Sequence, residues 1–447
     1  MGTKNFKTRC FIIHATLSHP KQSEAQLRRT PDAQLLECIG LASAIDLDVV
    51  NSSIVNLKEI KSATYFGAGV VKNINKLLNS ETPNKKNSVT LSGESIDLII
   101  VNSKLSPIQQ RNLEREWHKK VIDRTGLILE IFGSRAITRE GRLQVDLASM
   151  TYLRSRLVRT WTHLERQRGG AGFLGGPGET QIETDRRLID QKIIRLKNSI
   201  KQVVRTRDLH RKSRRNVPFP IIALVGYTNA GKSTLFNKLT SAKVRSENQL
   251  FVTLDPTMRR LELPSGTSTI LSDTVGFISS LPHELIKAFQ ATLEEVKEAD
   301  IILHVRDVSH PDNIAQSQDV VDVLTQLGVN NKQEKVILEV LNKIDLLNKP
   351  EKDKLLGQAN RSNFQLFPIS AFNGQGLSDL VNGLDEHLKL TSETIKIKLG
   401  YQNGDQIAWL YKHGNVTSRK DNVKDVDLTV SLNKINANRF RHKLNLS

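Results

Sequence analysis

Residues 221–234 read IIALVGYTNAGKST, an apolar, strand-like run passing directly into Gly226-Tyr227-Thr228-Asn229-Ala230-Gly231-Lys232-Ser233-Thr234. Strand, glycine-bounded loop and helix start together satisfy the pattern GxxxxGK[ST] in the setting it requires. Loop N–H groups and the positive end of the following helix suit the α- and β-phosphates of a nucleotide. Lys232 then reaches the β- and γ-oxygens, and the Ser233 hydroxyl is a Mg²⁺ ligand. A nucleoside triphosphate or its diphosphate is the expected ligand.

Downstream, the stretches TSTILSD, DIILHVRD, KVILEVLN and FQLFPIS read as further strands. Helical patterns near 232–240, 282–299, 314–327 and 375–388 separate them. The alternation predicts a doubly wound α/β domain with a mostly parallel sheet over 218–390. One strand ends in Asp273-Thr274-Val275-Gly276, which gives a carboxylate for the magnesium shell and a Gly276 N–H for the γ-phosphate. Lys232 and Gly276 are thus the catalytic candidates. In Phe251-Val252-Thr253, within FVTLDPT, Thr253 is the first choice for completing the Mg²⁺ site and Thr257 the second.

Base identity is read from Asn342-Lys343-Ile344-Asp345. A carboxylate at Asp345 accepts from guanine N1–H and the exocyclic amine together, whereas adenine would leave the acceptor unpaired. A backbone N–H at Ser370-Ala371 stands where it can meet guanine O6. GTP is the expected substrate. Phe277 occupies the place where many GTPases carry a water-orienting glutamine, so slow hydrolysis by the free protein is expected. Asn229 is either a turn former or a group that helps hold a potassium ion.

Before this domain, residues 1–135 alternate short apolar runs with helical stretches such as Pro31–Ala44 and predict a first α/β domain. Gly67 and Gly69 precede a helix, but the third glycine and the acidic residue of a dinucleotide site are missing, which favours a plain turn. Over 136–215 the period becomes helical. Leu143, Leu147, Met150, Leu157, Trp161 and Leu164 form one seam, and Ile189, Ile193, Leu196, Ile200 and Val203 another, predicting an antiparallel hairpin. Six glycines between Gly169 and Gly178 form its tip. The second helix is strongly basic, with 12 Lys and Arg against two Asp between Arg186 and Arg215. Charge of one sign at that density calls for a polyanion. Residues 391–447 suggest a small α+β domain around TIKIKLGYQ and VDLTVSLN.

At 447 residues, with roughly 150 per domain as a guide, a single small module is excluded. The net charge of +18 makes nucleic acid a natural partner. Two cysteines, Cys10 and Cys38, supply neither a disulfide framework nor a zinc site, which suits a reducing, cytoplasmic compartment. No apolar run approaches the length that spans a bilayer, so stable membrane insertion is not expected, and association of part of the population with a membrane surface stays open. His14 interrupts the N-terminal apolar stretch of MGTKNFKTRCFIIHATL too early for a secretory signal, and the strand-like CFIIHATL beginning by residue 10 speaks against an organellar presequence.

Six segments carry a closer resemblance: SPIQQRNLE (106–114), VIDRTGLILEIF (121–132), GPGETQIETDRRLI (176–189), GYTNAGKSTLFN (226–237), LFVTLDPTMRRLELP (250–264) and DTVGFISSLPHELIKAFQATLEEV (273–296). With these the sequence resembles the HflX family of ribosome-associated GTPases. AGFLGG at 171–176 departs from the family's glycine-rich run ending in Arg-Gly, which puts an arginine contact from that loop in doubt. The resemblance implies an N-terminal domain with a helical hairpin, a central G domain and a small C-terminal domain. It also implies binding to the large ribosomal subunit and ribosomal RNA in the GTP state, linked to splitting or rescue of stalled ribosomes. A monomer is expected, with Mg²⁺ from the loop motif and K⁺ as the second ion if Asn229 holds it. A GTPase remodelling non-ribosomal RNA, and a GTP-timed protein or membrane docking factor, are the competing readings.

Overall fold

The structure is a computed structural model and describes residues 7–17, 29–79, 96–167, 177–214, 219–240, 257–279, 295–329, 336–361, 366–433, 437 and 439–441. It falls into two compact units, one drawn mainly from Met1–Lys201 and the other mainly from Gln202 onward.

The first unit begins with β1 (Arg9–Leu17), α1 (Pro31–Ser43), β2 (Asp48–Leu57), α2 (Ala68–Asn79) and β3 (Leu98–Val101). It continues with α3 (Pro107–Trp117), β4 (Lys120–Asp123), α4 (Arg124–Arg135) and the long α5 (Arg139–Gln167). The strands form a parallel sheet in the order β2-β1-β3-β4. Every residue of β3 is buried, as expected of a strand covered on both faces. Local chemistry sets the helix starts. Ser106 and Gln109 form a reciprocal capping box ahead of Pro107, so the motif SPIQQ is a helix start. Asp123 caps α4 by accepting from Gly126 N–H at 2.8 Å.

Asp123 is fully buried and does more than cap. It accepts from Leu105 N–H at 3.1 Å, from the Tyr152 hydroxyl at 2.6 Å and from Arg156 at 2.8 Å. One carboxylate thereby ties β4 and the α3 entry to α5. Burial and the Asp123 charge both push the Tyr152 hydroxyl pKa upward, so Tyr152 stays a donor. Among the described side chains of α5, Gln144, Val145 and Ala148 are the most buried, whereas Leu143, Leu147, Met150 and Leu157 of the expected seam are half-buried and the side chains of Trp161 and Leu164 lie outside the described ones. The buried face packs on α4 and α3, a surface that a reading of the hairpin alone did not include. Helix α6 (Pro177–Arg214) buries Ile193 and Leu196 with Ile189, Ile200 and Val203 half-buried, which is the predicted stripe. Cys10 and Cys38 are buried free thiols, each pushed up to about 12 chiefly by burial, and so are poor nucleophiles. The expected tip at 169–176 lies outside the described residues.

The second unit contains β5 (Ile221–Gly226), α7 (Lys232–Thr240), β6 (Thr257–Glu262), β7 (Ser268–Asp273), β8 (Ile301–Asp307) and α8 (Asn313–Gln326). After these come β9 (Val336–Asn342), α9 (Lys349–Ala359), β10 (Leu366–Pro368) and α10 (Leu377–Thr391). Its six strands run in the order β10-β9-β8-β5-β7-β6, all parallel except the edge strand β6. Strand β5 is central and almost wholly buried, and its C-terminal end opens where the sheet order reverses, the usual ligand position in this architecture. Ile222, Leu224, Leu303, Val305, Leu338 and Val340 build one face of the core with Leu235 and Phe236 of α7. A three-stranded antiparallel sheet follows, β11 (Ser392–Gly400), β13 (Asp425–Asn433) and β12 (Asn415–Asp421) in that order, with α11 (Gly404–His413). Leu410, Leu428, Val430 and Phe440 form its own small core.

Candidate nucleotide site

The loop after β5 has the backbone that its glycines and asparagine permit. Gly226 has φ +154°, and a Cβ there would sit 2.2 Å from the Val305 carbonyl oxygen. Gly231 has φ +92°, and its Cβ would meet Asn342 Nδ2 at 2.2 Å. Asn229 is left-handed at φ 60°, a conformation this residue type tolerates. The loop thus curls back over the end of β5 and delivers Lys232 and Ser233 into the first turn of α7.

Lys232 is buried and donates to the carbonyls of Gly226 at 3.1 Å and Tyr227 at 2.7 Å. Burial pushes its ammonium down to about 8, against the opposing pull of Asp273. The Ser233 hydroxyl donates to Asp273 Oδ2 at 2.7 Å, so helix start and β7 end converge on one point. A hydroxyl and a carboxylate side by side are hard oxygen donors, and this set fits Mg²⁺. Thr274 is buried with its hydroxyl on the Leu224 carbonyl at 2.6 Å, a brace between β7 and β5. Val275 is also buried.

The segment after β7 lies against the loop. Phe277 N–H donates to the Gly226 carbonyl at 3.1 Å, and Thr228 N–H donates to the Phe277 carbonyl at 2.8 Å, which makes a parallel bridge between Tyr227 and Phe277. Gly276 is therefore held so close that a Cβ would fall 2.8 Å from Thr228 Cγ2 and 3.1 Å from Lys232 Nζ. The Phe277 ring is 2% exposed, a packed side chain and not one that meets water. Thr228 is buried as well, and among the described residues its hydroxyl oxygen has no hydrogen-bond partner.

Asn342 joins three loops. Its Nδ2 donates to the Ala230 carbonyl at 2.8 Å, and its Oδ1 accepts from Ala371 N–H at 2.9 Å. Lys343 turns left-handed at φ 68°, and Asp345 stands exposed on the short 3₁₀ turn Ile344–Leu346. Lys343 Nζ lies 2.7 Å from Asp307 Oδ2. Ser370 N–H donates to the Gln375 carbonyl at 2.9 Å. Both N–H groups expected to meet O6, those of Ser370 and Ala371, thus already donate within the chain, and a base oxygen would share one as a three-centre bond. Thr257 heads β6 directly opposite Asp273 in the register. Phe251, Val252 and Thr253 lie outside the described residues. Among the described residues no group of three or more His, Cys, Asp and Glu forms another metal cluster, and no helix is long and apolar enough to cross a membrane.

Of the sequence candidates, the structure brings together Gly226–Thr234, Asp273–Gly276, Asn342, Lys343, Ser370 and Ala371 at one end of the sheet. Asp307 is the addition. A lone aspartate at a strand end has no spacing that could have marked it.

Three family models match in chain order. The one described as GTP-binding GTPase N-terminal covers 32–133, GTP-binding GTPase Middle Region covers 135–214, and 50S ribosome-binding GTPase covers 221–343. The chain is 43% identical to a GTPase HflX of Magnetococcus marinus over 432 residues, 97% of this chain and 94% of that one. It is 45% identical to the GTPase HflX of Escherichia coli over 317 residues, 71% of this chain and 72% of that one. A solved GTP-binding protein from Sulfolobus solfataricus in complex with GDP overlays at 23% identity with a TM-score of 0.44, over 85% of this chain and 98% of that one. With 43% identity to a GTPase HflX across nearly its whole length, and with a phosphate loop whose lysine, serine and facing aspartate converge on one point, the chain belongs to the HflX family of GTPases.

Proposed function

We propose that this GTPase binds the large ribosomal subunit in its GTP state and couples binding and hydrolysis to splitting or rescue of ribosomes. The observation that carries the reading is α6, whose described cations Lys192, Arg195, Lys197, Lys201 and Arg205 are all exposed and belong to the chain's most basic stretch, directly ahead of the G domain in sequence. A surface of that charge takes ribosomal RNA phosphates by releasing their counterions. The family description 50S ribosome-binding GTPase, matched over 221–343, points the same way.

Within the site, Gly226–Thr234 hold the phosphates, Lys232 neutralises the β- and γ-oxygens, and Gly276 N–H meets the γ-phosphate. Asp345 accepts the guanine donors, with Ala371 at O6. Ser233 and Asp273 would hold Mg²⁺, with Thr253 as a further ligand, and the ion would supply positive charge to the phosphates. Asn229 offers an amide oxygen for K⁺, which exchange of K⁺ for Na⁺ in a turnover assay tests. Phe277 places no hydrogen-bonding side chain near attacking water, so the free protein hydrolyses slowly and the ribosome completes the site. The buried unreactive thiols suit a cytoplasmic protein, here a monomer.

The reading is tested by GTP turnover with and without purified large subunits. Stimulation of at least tenfold, lost on reversing the charges of α6, is expected. Turnover indifferent to subunits would remove the coupling.

A further inference from the structure

We infer that Asp307 is a positioning residue of the guanine nucleotide site, acting through Lys343. The inference rests on the proposed assignment of Asn342–Asp345 to the base. Strands β8 and β9 are neighbours, and Asp307 and Asn342 are register partners at their C-terminal ends, the edge where ligands bind in this fold. Lys343 is fixed at both of its own ends. Its backbone is held left-handed at φ 68° between Asn342 and the turn that carries Asp345, and its ammonium lies 2.7 Å from Asp307 Oδ2.

Asp307 is itself immobilised. Its Oδ1 accepts from the Ser309 N–H at 3.1 Å and the Ser309 hydroxyl at 2.6 Å, and Val308 N–H donates to the Asn342 carbonyl at 3.1 Å. Both partners of the ion pair are largely sheltered, with side chains 23% and 11% exposed. A charge-assisted bond in that setting holds a geometry better than an exposed surface pair does.

Two consequences follow for a ligand. A free lysine must lose its rotamer freedom when a ligand orders it, and here that loss is taken on folding. Its charge is also matched by Asp307, so Lys343 does not compete with Lys232 for phosphate. What it presents to a planar base is its aliphatic stem, held beside Asn342 and Asp345. Asp307 thus acts on retention of the guanosine part of the ligand. It leaves phosphate chemistry and the choice between guanine and xanthine to other residues.

The test compares Asp307→Asn, Asp307→Glu, Lys343→Met, the double variant Asp307→Asn/Lys343→Met and Ser309→Ala in the full chain. KM and kcat for GTP, dissociation of fluorescent GDP, and Tm are read for each. Asp307→Asn is expected to raise KM and the GDP off-rate about tenfold, with kcat changed less than twofold, as loss of one charge-assisted contact implies. Asp307→Glu should recover part of the loss. Adding Asp307→Asn to Lys343→Met should add nothing. Ser309→Ala, which loosens the carboxylate without removing it, should move KM the same way by less. An Asp307→Asn effect that persists in the Lys343→Met background, or a fall in Tm with KM unmoved, overturns the inference. Asp345→Asn separates the two levels. If that variant leaves the guanine-over-xanthine preference unchanged, the base assignment fails and takes this inference with it. If the preference shifts but Asp307→Asn leaves KM alone, only the inference fails.

Discussion

Asp345 stands exposed on its 3₁₀ turn, while the residues that aim it, Asn342 and Ile344, are buried. An acceptor carried on a rigid turn can select a base by what it leaves unpaired. Asp345→Asn should therefore lose GTP affinity, because its new amide N–H groups face the guanine donors, and gain affinity for xanthosine triphosphate, as competition binding would measure. Lys232 gives a second expectation. Its folded pKa of about 8 lies below the ordinary 10.5, so between those values the folded chain binds fewer protons than the unfolded one. This group's contribution to stability then rises with pH across that window, while affinity for the triphosphate falls because the charge that binds it is lost. Calorimetry at pH 7 and pH 9 should find proton uptake on binding only at the higher pH; equal uptake at both would contradict a depressed lysine. Motif spacing made Lys232, Ser233, Asp273 and Asn342 legible from sequence. The engaged N–H groups of Ser370 and Ala371 were not legible, because their acceptors Gln375 and Asn342 are supplied by the folded turn.

At the scale of elements, legibility followed burial. Strands β5, β8 and β9 are largely apolar and announced themselves as runs, and β7, STILSD, is nearly all buried although only Ile270 and Leu271 in it are apolar. Strand β6, TMRRLE, buries only Leu261 at the sheet edge and gave no alternation to find. Strand β12, NVTSRKD, is exposed over most of its length and was hidden for the same reason. Helix α9 buries nothing, so no stripe marked it; the signal that existed was its cap, Asn348 accepting from Glu351 N–H at 3.0 Å with Pro350 in the first turn. The resemblance segment VIDRTGLILEIF splits into β4 and α4 at Asp123, whose four partners make it the joint that holds α5 on the α/β body. Tyr152→Phe removes one donor from that buried carboxylate and should lower stability by about 1–3 kcal/mol in a denaturant titration. An unchanged midpoint would show that Asp123 does not depend on the α5 contact.

Across the whole molecule, the proposed function couples the basic helix α6 to the nucleotide site. If the large subunit prefers the GTP conformation, linkage requires it to raise GTP affinity by the same factor by which GTP raises subunit affinity. The electrostatic part must also appear as salt dependence, with a slope set by the number of phosphates neutralised. Cosedimentation with purified large subunits across a potassium chloride series, in GDP and in a non-hydrolysable GTP analogue, measures both at once. Binding should be tighter with the GTP analogue and show a steep salt slope, and it should weaken with a flatter slope when Lys192, Arg195, Lys197 and Lys201 are changed to Glu. Binding that ignores both the nucleotide and these four charge reversals would rule out coupling between α6 and the nucleotide site.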